Sequence, residues 1–360
     1  MGVRGETLAG SQVRIGRSRG IGDRPALLVG LGLLALVVAL IAGVGLGSVA
    51  VAPGDTVAIL AHRLLGLDVA RTWSDASETI VMELRLPRVL TAMLVGSALA
   101  VAGATYQGLL RNPLADPYVL GTASGAALGA AIAVIIPVRI VVLEFGLLHG
   151  LAFVGALASI YTVYRLSRIS GLAPLTSLLL TGYAVGSLLA AGLAMAMYLS
   201  GAALRQIFIY LLGSFDTATW TRFAGALPIV VLGCAAIMLR ARSLNGLLLG
   251  EQAAVHLGVD VRRERAILLG LASLVTAAAV AISGLIGFVG LVVPHVVRLI
   301  VGPSARAVLP ISALGGAALL AYADLAARML GDIPVGVVTA VLGAPFFLLI
   351  LRRARTGYEL

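Results

Sequence analysis

The chain has 360 residues, of which 60% are hydrophobic and 12% charged, with a mean hydropathy of +1.06. That balance excludes a soluble globule and defines an all-α integral membrane protein. The formal net charge of +10 comes from 26 arginines and no lysine, without a basic stripe interleaved with aromatics, so it does not describe a nucleic-acid footprint.

Residues 1–25 read as a polar tail, with Arg14, Arg17, Arg19 and Arg24 ahead of an apolar run ending in Ala50-Val51-Ala52. Those last residues resemble a cleavage site. The run is longer than the about 7–15 residues of a signal-peptide core, so it reads as a retained first span. A helix needs about 20 apolar residues to cross a bilayer. Such runs predict ten spans near 26–50, 87–110, 118–136, 147–166, 176–199, 222–240, 265–283, 285–301, 307–330 and 334–351. The break between the seventh and eighth rests on Ser283-Gly284. One long span with a re-entrant piece is the alternative there.

Between the first two spans, 53–83 forms the longest external connection. Val57, Leu60, Leu64 and Leu65 recur at helical spacing, which predicts an amphipathic helix on the outer membrane interface, with Trp73 as an interfacial aromatic. Pro113 and Pro117 bracket an irregular turn, and Leu204–Leu212 is too short to cross and reads as a half-helix. Gly121, Gly125 and Gly129 stand four apart, a small-residue seam for close helix packing, and Gly284, Gly287 and Gly290, three apart, suggest a second. Of the 26 arginines, 18 fall on the face carrying both termini and 8 on the other, which predicts cytoplasmic termini, including the tail 353–360. Ten spans divide into five and five, an odd repeat that must be inverted.

On that cytoplasmic face lies the polar loop 241–264. Within it Glu251 to Leu257 reads as a short amphipathic helix ending at Gly258, with Ala253, Ala254 and Leu257 as its apolar side and Glu251 at its start, where the helix dipole favours an anion. Such a loop offers a handle to a soluble partner.

Chemistry-bearing constellations are missing from the sequence. His62, His149, His256 and His295 have no neighbours at metal-ligand spacing, Cys234 stands alone, and without lysine there can be no phosphate-binding loop. Only Asp324 approaches a span interior, near an outer end, which argues against an ion-coupled secondary transporter, the alternative reading. No nucleophile–base set supports an intramembrane enzyme. The chain reads as a conduit without catalytic residues or cofactor, energised by another protein.

Several segments together resemble one family. They are Arg85-Leu86-Pro87-Arg88 with Gly96; Arg111-Asn112-Pro113-Leu114-Ala115-Asp116-Pro117; Leu204-Arg205-Gln206; Leu249-Gly250-Glu251 through Gly258; Gly287 through His295 with Arg298; Ala323-Asp324-Leu325-Ala326-Ala327-Arg328; and Ile333-Pro334-Val335-Gly336 with Gly343-Ala344-Pro345. In that order they look like the FecCD family, the permeases of type II ABC importers for iron-siderophores, haem and cobalamin. The resemblance implies a homodimer of ten-helix subunits spanning 26–352 in the inner or plasma membrane, two cytosolic ABC ATPase subunits, an external substrate-binding protein and a metal-chelate substrate. It also implies that Arg85, Arg88 and Arg328 dock the binding protein. Asn112, Leu114, Leu175 and Thr176 would form the cytoplasmic gate, and Gly250, Glu251, Ala254, Leu257 and Gly258 would couple to the ATPase. Met195, Met197 and Tyr198 read as ordinary helix packing in preference to haem contacts. One departure stands out: many relatives have Asp-His-Arg after the position of Gly302, whereas Ser304-Ala305-Arg306 follows Pro303 here.

Overall fold

The computed structural model describes residues 25–47, 49, 51–136, 138, 141–142, 145–167 and 175–355. Most of the two tails and residues 168–174 lie outside the described residues, as does the side chain of Leu175. In chain order the helices are α1 (Pro25–Gly45), α2 (Pro53–Leu65), α3 (Asp75–Thr79), α4 (Leu86–Leu110), α5 (Thr122–Ile135), α6 (Leu147–Ser167), α7 (Leu175–Leu199), α8 (Leu204–Leu212), α9 (Trp220–Leu239), α10 (Ala241–Leu248), α11 (Glu251–His256), α12 (Val261–Ser283), α13 (Val289–Val301), α14 (Ala305–Met329) and α15 (Val335–Arg355). A two-residue β-pair, Val141–Val142 with Phe145–Gly146, precedes α6.

Each of the ten predicted spans coincides with a helix, and the protein is a multi-pass membrane protein. Among the described residues seven helices are long and apolar enough to cross a bilayer, while α5, α13 and the apolar part of α15 are shorter. The shortness of α5 and α13 has a local cause. Before α5, the chain from Arg111 to Gly121 runs through turns set by Pro113 and Pro117, and before α13 Gly284 stops α12 at Ser283. Gly284 has φ +69, and a Cβ there would collide with the Tyr210 carbonyl, so the close approach of α8 requires glycine. The two irregular stretches meet where Tyr118 Oη donates to the Ile286 carbonyl at 3.0 Å. Non-helical backbone is tolerated in a membrane only where protein surrounds it, and here α4 supplies that cover.

Helix α4 is the most buried of the spans and the axis of the subunit. It contacts α14, α12, α13 and α9 along its length. Gly96 meets the backbone of Gly316 on α14, and Gly103 meets that of Gly290 on α13, so each pair of helices touches backbone to backbone. Lower on α4, Tyr106 Oη lies 2.7 Å from Ser273 Oγ on α12, and Gln107 Nε2 donates to the Leu291 carbonyl on α13 at 3.1 Å. A Cβ at Gly103 would overlap the Gly290 carbonyl, and backbone cannot rotate away as a side chain can. Gly103→Val is therefore expected to destabilise the bundle by about 1–3 kcal/mol or more, the range for overpacking. Thermal unfolding in detergent checks this, and an unchanged midpoint would contradict the backbone contact.

The predicted seam of α5 faces α6: Gly125 meets Gly155, Gly129 meets the Leu151 carbonyl, and Gly121 meets Ser159. Gly290 is likewise a contact glycine. Gly287 is not, because a Cβ there would meet nothing in the subunit. The spacing could not separate the two, since α13 begins only after Gly287.

The connection 53–83 is more ordered than the expected single interfacial helix. Helix α2 is followed by α3, which continues through a π-helical stretch, Ile80–Arg85, into α4. Pro87 explains the widened turn, because it has no N–H to continue the α-helical ladder. The apolar residues Val57, Leu64 and Leu65 are exposed, whereas Ile59 and Thr56 are buried against the subunit. Trp73 is corrected: it is buried, and its Nε1 donates to Glu78 Oε2 at 3.0 Å, so it belongs to the fold of this cap and not to the lipid interface.

Candidate functional site

Two opposed faces carry the residues singled out in the sequence. On the face of α2 and α3, Arg85, Arg88 and Arg328 line one cleft of about 330 Å³, together with Asp216 and Asp332. The π-helical stretch delivers Arg85 and the first turn of α4 delivers Arg88, while Arg328 comes from the last turn of α14. Arg85 and Arg328 are not free surface cations, as snorkelling residues would be. Arg85 Nη1 donates to the carbonyls of Val44 and Gly45 at 3.0 and 2.9 Å, and Nη2 donates to that of Val49. Arg328 donates to the carbonyls of Gly43 at 2.7 Å and Leu46 at 3.2 Å. Two guanidiniums thus cap the end of α1, where orphan carbonyls and the helix dipole both favour cations.

Behind them lies Asp324, fully buried on α14, one turn before Arg328. Its carboxylate accepts from Arg88 Nε at 2.9 Å and sits 3.1 Å from Arg328 Nε. Arg88 also reaches forward, with Nη1 2.7 Å from Asp216 Oδ1 in the loop between α8 and α9. The chain of charges therefore runs from Asp216 through Arg88, Asp324 and Arg328 to the end of α1. Asp216 has no signal in the sequence beyond being the only acid between α8 and α9.

The loop holding Asp216 also walls a second space. A cavity of about 760 Å³ opens between α5, α6, α8, α9 and the end of α12, lined by His149, Gln206, Tyr210, Asp216, Arg222 and Ser283 among others. The loop is tied down at one end by Ser214 N–H donating to the Ser283 carbonyl at 2.9 Å, and at the other by Arg222 Nη1 donating to the Thr217 carbonyl at 2.5 Å.

The opposite face carries α10 and α11. Gly250 and Gly258 adopt φ of +109 and +77 and bracket α11 as expected of its ends. Ala254, expected on the apolar side of the loop, is fully buried within the subunit near Gly246 of α10 and is not part of the exposed surface. Glu251 is engaged as well, its Oε1 accepting from Arg265 Nη2 of α12 at 2.5 Å. Leu257 is 64% exposed, and it stands with two residues the sequence reading passed over, Leu249 at 71% and Val255 at 62%. The departing turn at 303–306 is also accounted for. Asn245 Oδ1 of α10 accepts from Ala305 N–H at 2.7 Å, supplying the cap of α14 that Ser304 does not.

Of the expected gate residues, Asn112 is exposed and its Oδ1 accepts from Leu114 N–H at 2.9 Å, a side-chain turn that fixes the bend. Leu114 is half-buried and Thr176 is exposed at the start of α7. Preceding them, Arg111 holds a left-handed φ of 48 that ends α4. On α7, Met195 and Tyr198 are exposed, so within one subunit they do not pack as expected, while Met197 lies against Ile207 and its neighbours. Among the described residues no group of three or more His, Cys, Asp or Glu could hold a metal ion.

Among the described residues, a bundle of apolar helices with irregular segments buried against its central helix defines a polytopic membrane protein by fold. The chain belongs to the FecCD transport family, whose model matches residues 34–353. It is 45% identical over 279 residues to the cobalamin import system permease protein BtuC of Halobacterium salinarum, covering 77% of this chain and 74% of that one. It is 40% identical to the hemin transport system permease protein HmuU of Yersinia pestis, covering 92% and 97%, and 35% identical to the Fe(3+)-citrate import system permease protein YfmD of Bacillus subtilis, covering 79% and 84%. A solved structure of an inward-facing ABC transporter superposes with a TM-score of 0.79 at 30% identity, covering 91% of this chain and 99% of that one.

Proposed function

We propose that this protein is the membrane-spanning subunit of an ATP-driven importer for a metal chelate, working as a homodimer with two ABC ATPase subunits and an external binding protein. The observation that carries the reading is the pairing of an arginine-lined cleft on one face with an exposed apolar loop on the other, across a scaffold of the FecCD family. A cleft from which the Arg88 guanidinium reaches outward suits an acidic side chain offered by a binding protein outside the cell. The apolar trio Leu249, Val255 and Leu257 suits a groove on a cytosolic ATPase. Relatives named for cobalamin, hemin and Fe(3+)-citrate share one kind of cargo, a bulky chelated metal, and the substrate here is assigned to that class.

In this reading the face of α2 and α3 is external, and both termini and α11 are cytoplasmic in the inner or plasma membrane. The ten-helix unit is 26–352, with short tails at either end. Asn112 and Leu114, with Leu175 and Thr176, close the pathway on the cytoplasmic side of a dimer, where two apolar copies around an axis block the passage. The exposed apolar face of α7, including Tyr183, Leu188 and Tyr198, then meets lipid or the second subunit.

Docking is tested by titrating the binding protein onto the purified transporter at several salt concentrations. Arg88→Gln is expected to weaken association about tenfold at low salt and less at high salt, since salt screens the attraction between its outward Nη1 and an incoming carboxylate. Equal affinity for both proteins across the titration would remove the cleft from the docking surface.

A further inference from the structure

We propose that Asp216 is an internal stand-in for the docking partner's carboxylate: it occupies Arg88 while the cleft is empty and yields it when an acidic side chain enters. The inference rests on the docking reading of the cleft and names a residue that reading leaves without a role. Three arginines line or back the cleft, and Arg85 and Arg328 spend their donors on the carbonyls at the end of α1. Arg88 is the exception. Its Nε faces the buried Asp324, while its Nη1 points outward to Asp216 at 2.7 Å. The two acids differ in what they cost to release. Asp324 is fully buried and cannot leave without stranding a charge. Asp216 has a half-exposed carboxylate, 52% accessible, on a loop, so water can take it up when it lets go.

A carboxylate arriving from outside would therefore replace an equivalent contact instead of adding one. The competitor lowers the apparent affinity by the fraction of time it holds Arg88. It also keeps the cleft near electrical balance when undocked: Arg85, Arg88 and Arg328 stand against Asp216, Asp324 and Asp332.

The test is a double-mutant cycle on the complete transporter, read as binding-protein affinity at low salt. Asp216→Asn keeps the loop's shape and is expected to tighten association about three- to tenfold. On an Arg88→Gln background the same substitution is expected to change nothing, because the competition has lost its object. If Arg88→Gln weakens binding while Asp216→Asn leaves it unchanged or weakens it, docking stands and the stand-in role is overturned. If Arg88→Gln has no effect, the docking reading itself falls and takes this inference with it. Tightening by Asp216→Asn that persists without Arg88 would show general charge attraction and would also overturn the stand-in role.

Discussion

Val255→Asp combined with Leu257→Asp is expected to abolish ATP-dependent uptake while the membrane bundle stays folded. Both side chains lie more than half exposed on a loop that the subunit's own packing does not cover. Burying each against a partner would contribute roughly 1.5–3 kcal/mol, so losing both weakens the ATPase complex by about a hundredfold or more. Placing carboxylates in an apolar groove adds a desolvation cost. Glu251 and Ala254 are the contrasting positions. Ala254→Ser should act through the fold of α10 and α11, and Glu251→Gln through the pair with Arg265, so neither should sever the ATPase contact. Co-purification of the ATPase with each variant checks this. Retention of the ATPase and normal uptake by the double aspartate variant would remove the loop from the coupling interface.

Asp324→Ala is expected to destabilise the protein by about 3–5 kcal/mol, because deleting one partner of a buried ion pair strands the other. Here two guanidiniums would be stranded, those of Arg88 and Arg328, and the second also holds the end of α1. The loss should spread from α14 to the packing of α1. Asp216→Asn is the control. It removes a half-exposed partner of the same arginine and should cost no more than about 1 kcal/mol. Thermal unfolding in detergent separates the two, and similar midpoints for both variants would contradict the buried network.

The order of the apolar helices was legible in the sequence because a bilayer demands long apolar runs and the chain supplies them. The break at Ser283-Gly284 was legible only as an interruption of an apolar run, and its cause, the close approach of α8 that glycine admits, comes from the fold. Orientation of individual side chains was not. Helical spacing groups Ala254 with Leu257, yet α11 is under two turns long, and only the position of α10 decides which side is inward. The tie of Arg85 to α1 was not legible because its partners, the carbonyls of Val44 and Gly45, lie some forty residues away and have no sequence signature. Trp73 looked interfacial because its acceptor, Glu78, comes within reach only once α3 has formed. Asp216 was missed because an acid in a short loop is usually a solvated residue, and its meaning comes from Arg88 on a distant helix.

The source of energy is the claim on which the rest depends. The permease, reconstituted into vesicles with its ATPase and supplied with binding protein and a ferric or cobalt chelate, should accumulate chelate only when ATP reaches the ATPase. Ionophores that collapse proton and sodium gradients should leave that uptake unchanged. Uptake by the permease alone, driven by an imposed ion gradient and lost with ionophore, would contradict the account and make the protein a secondary transporter.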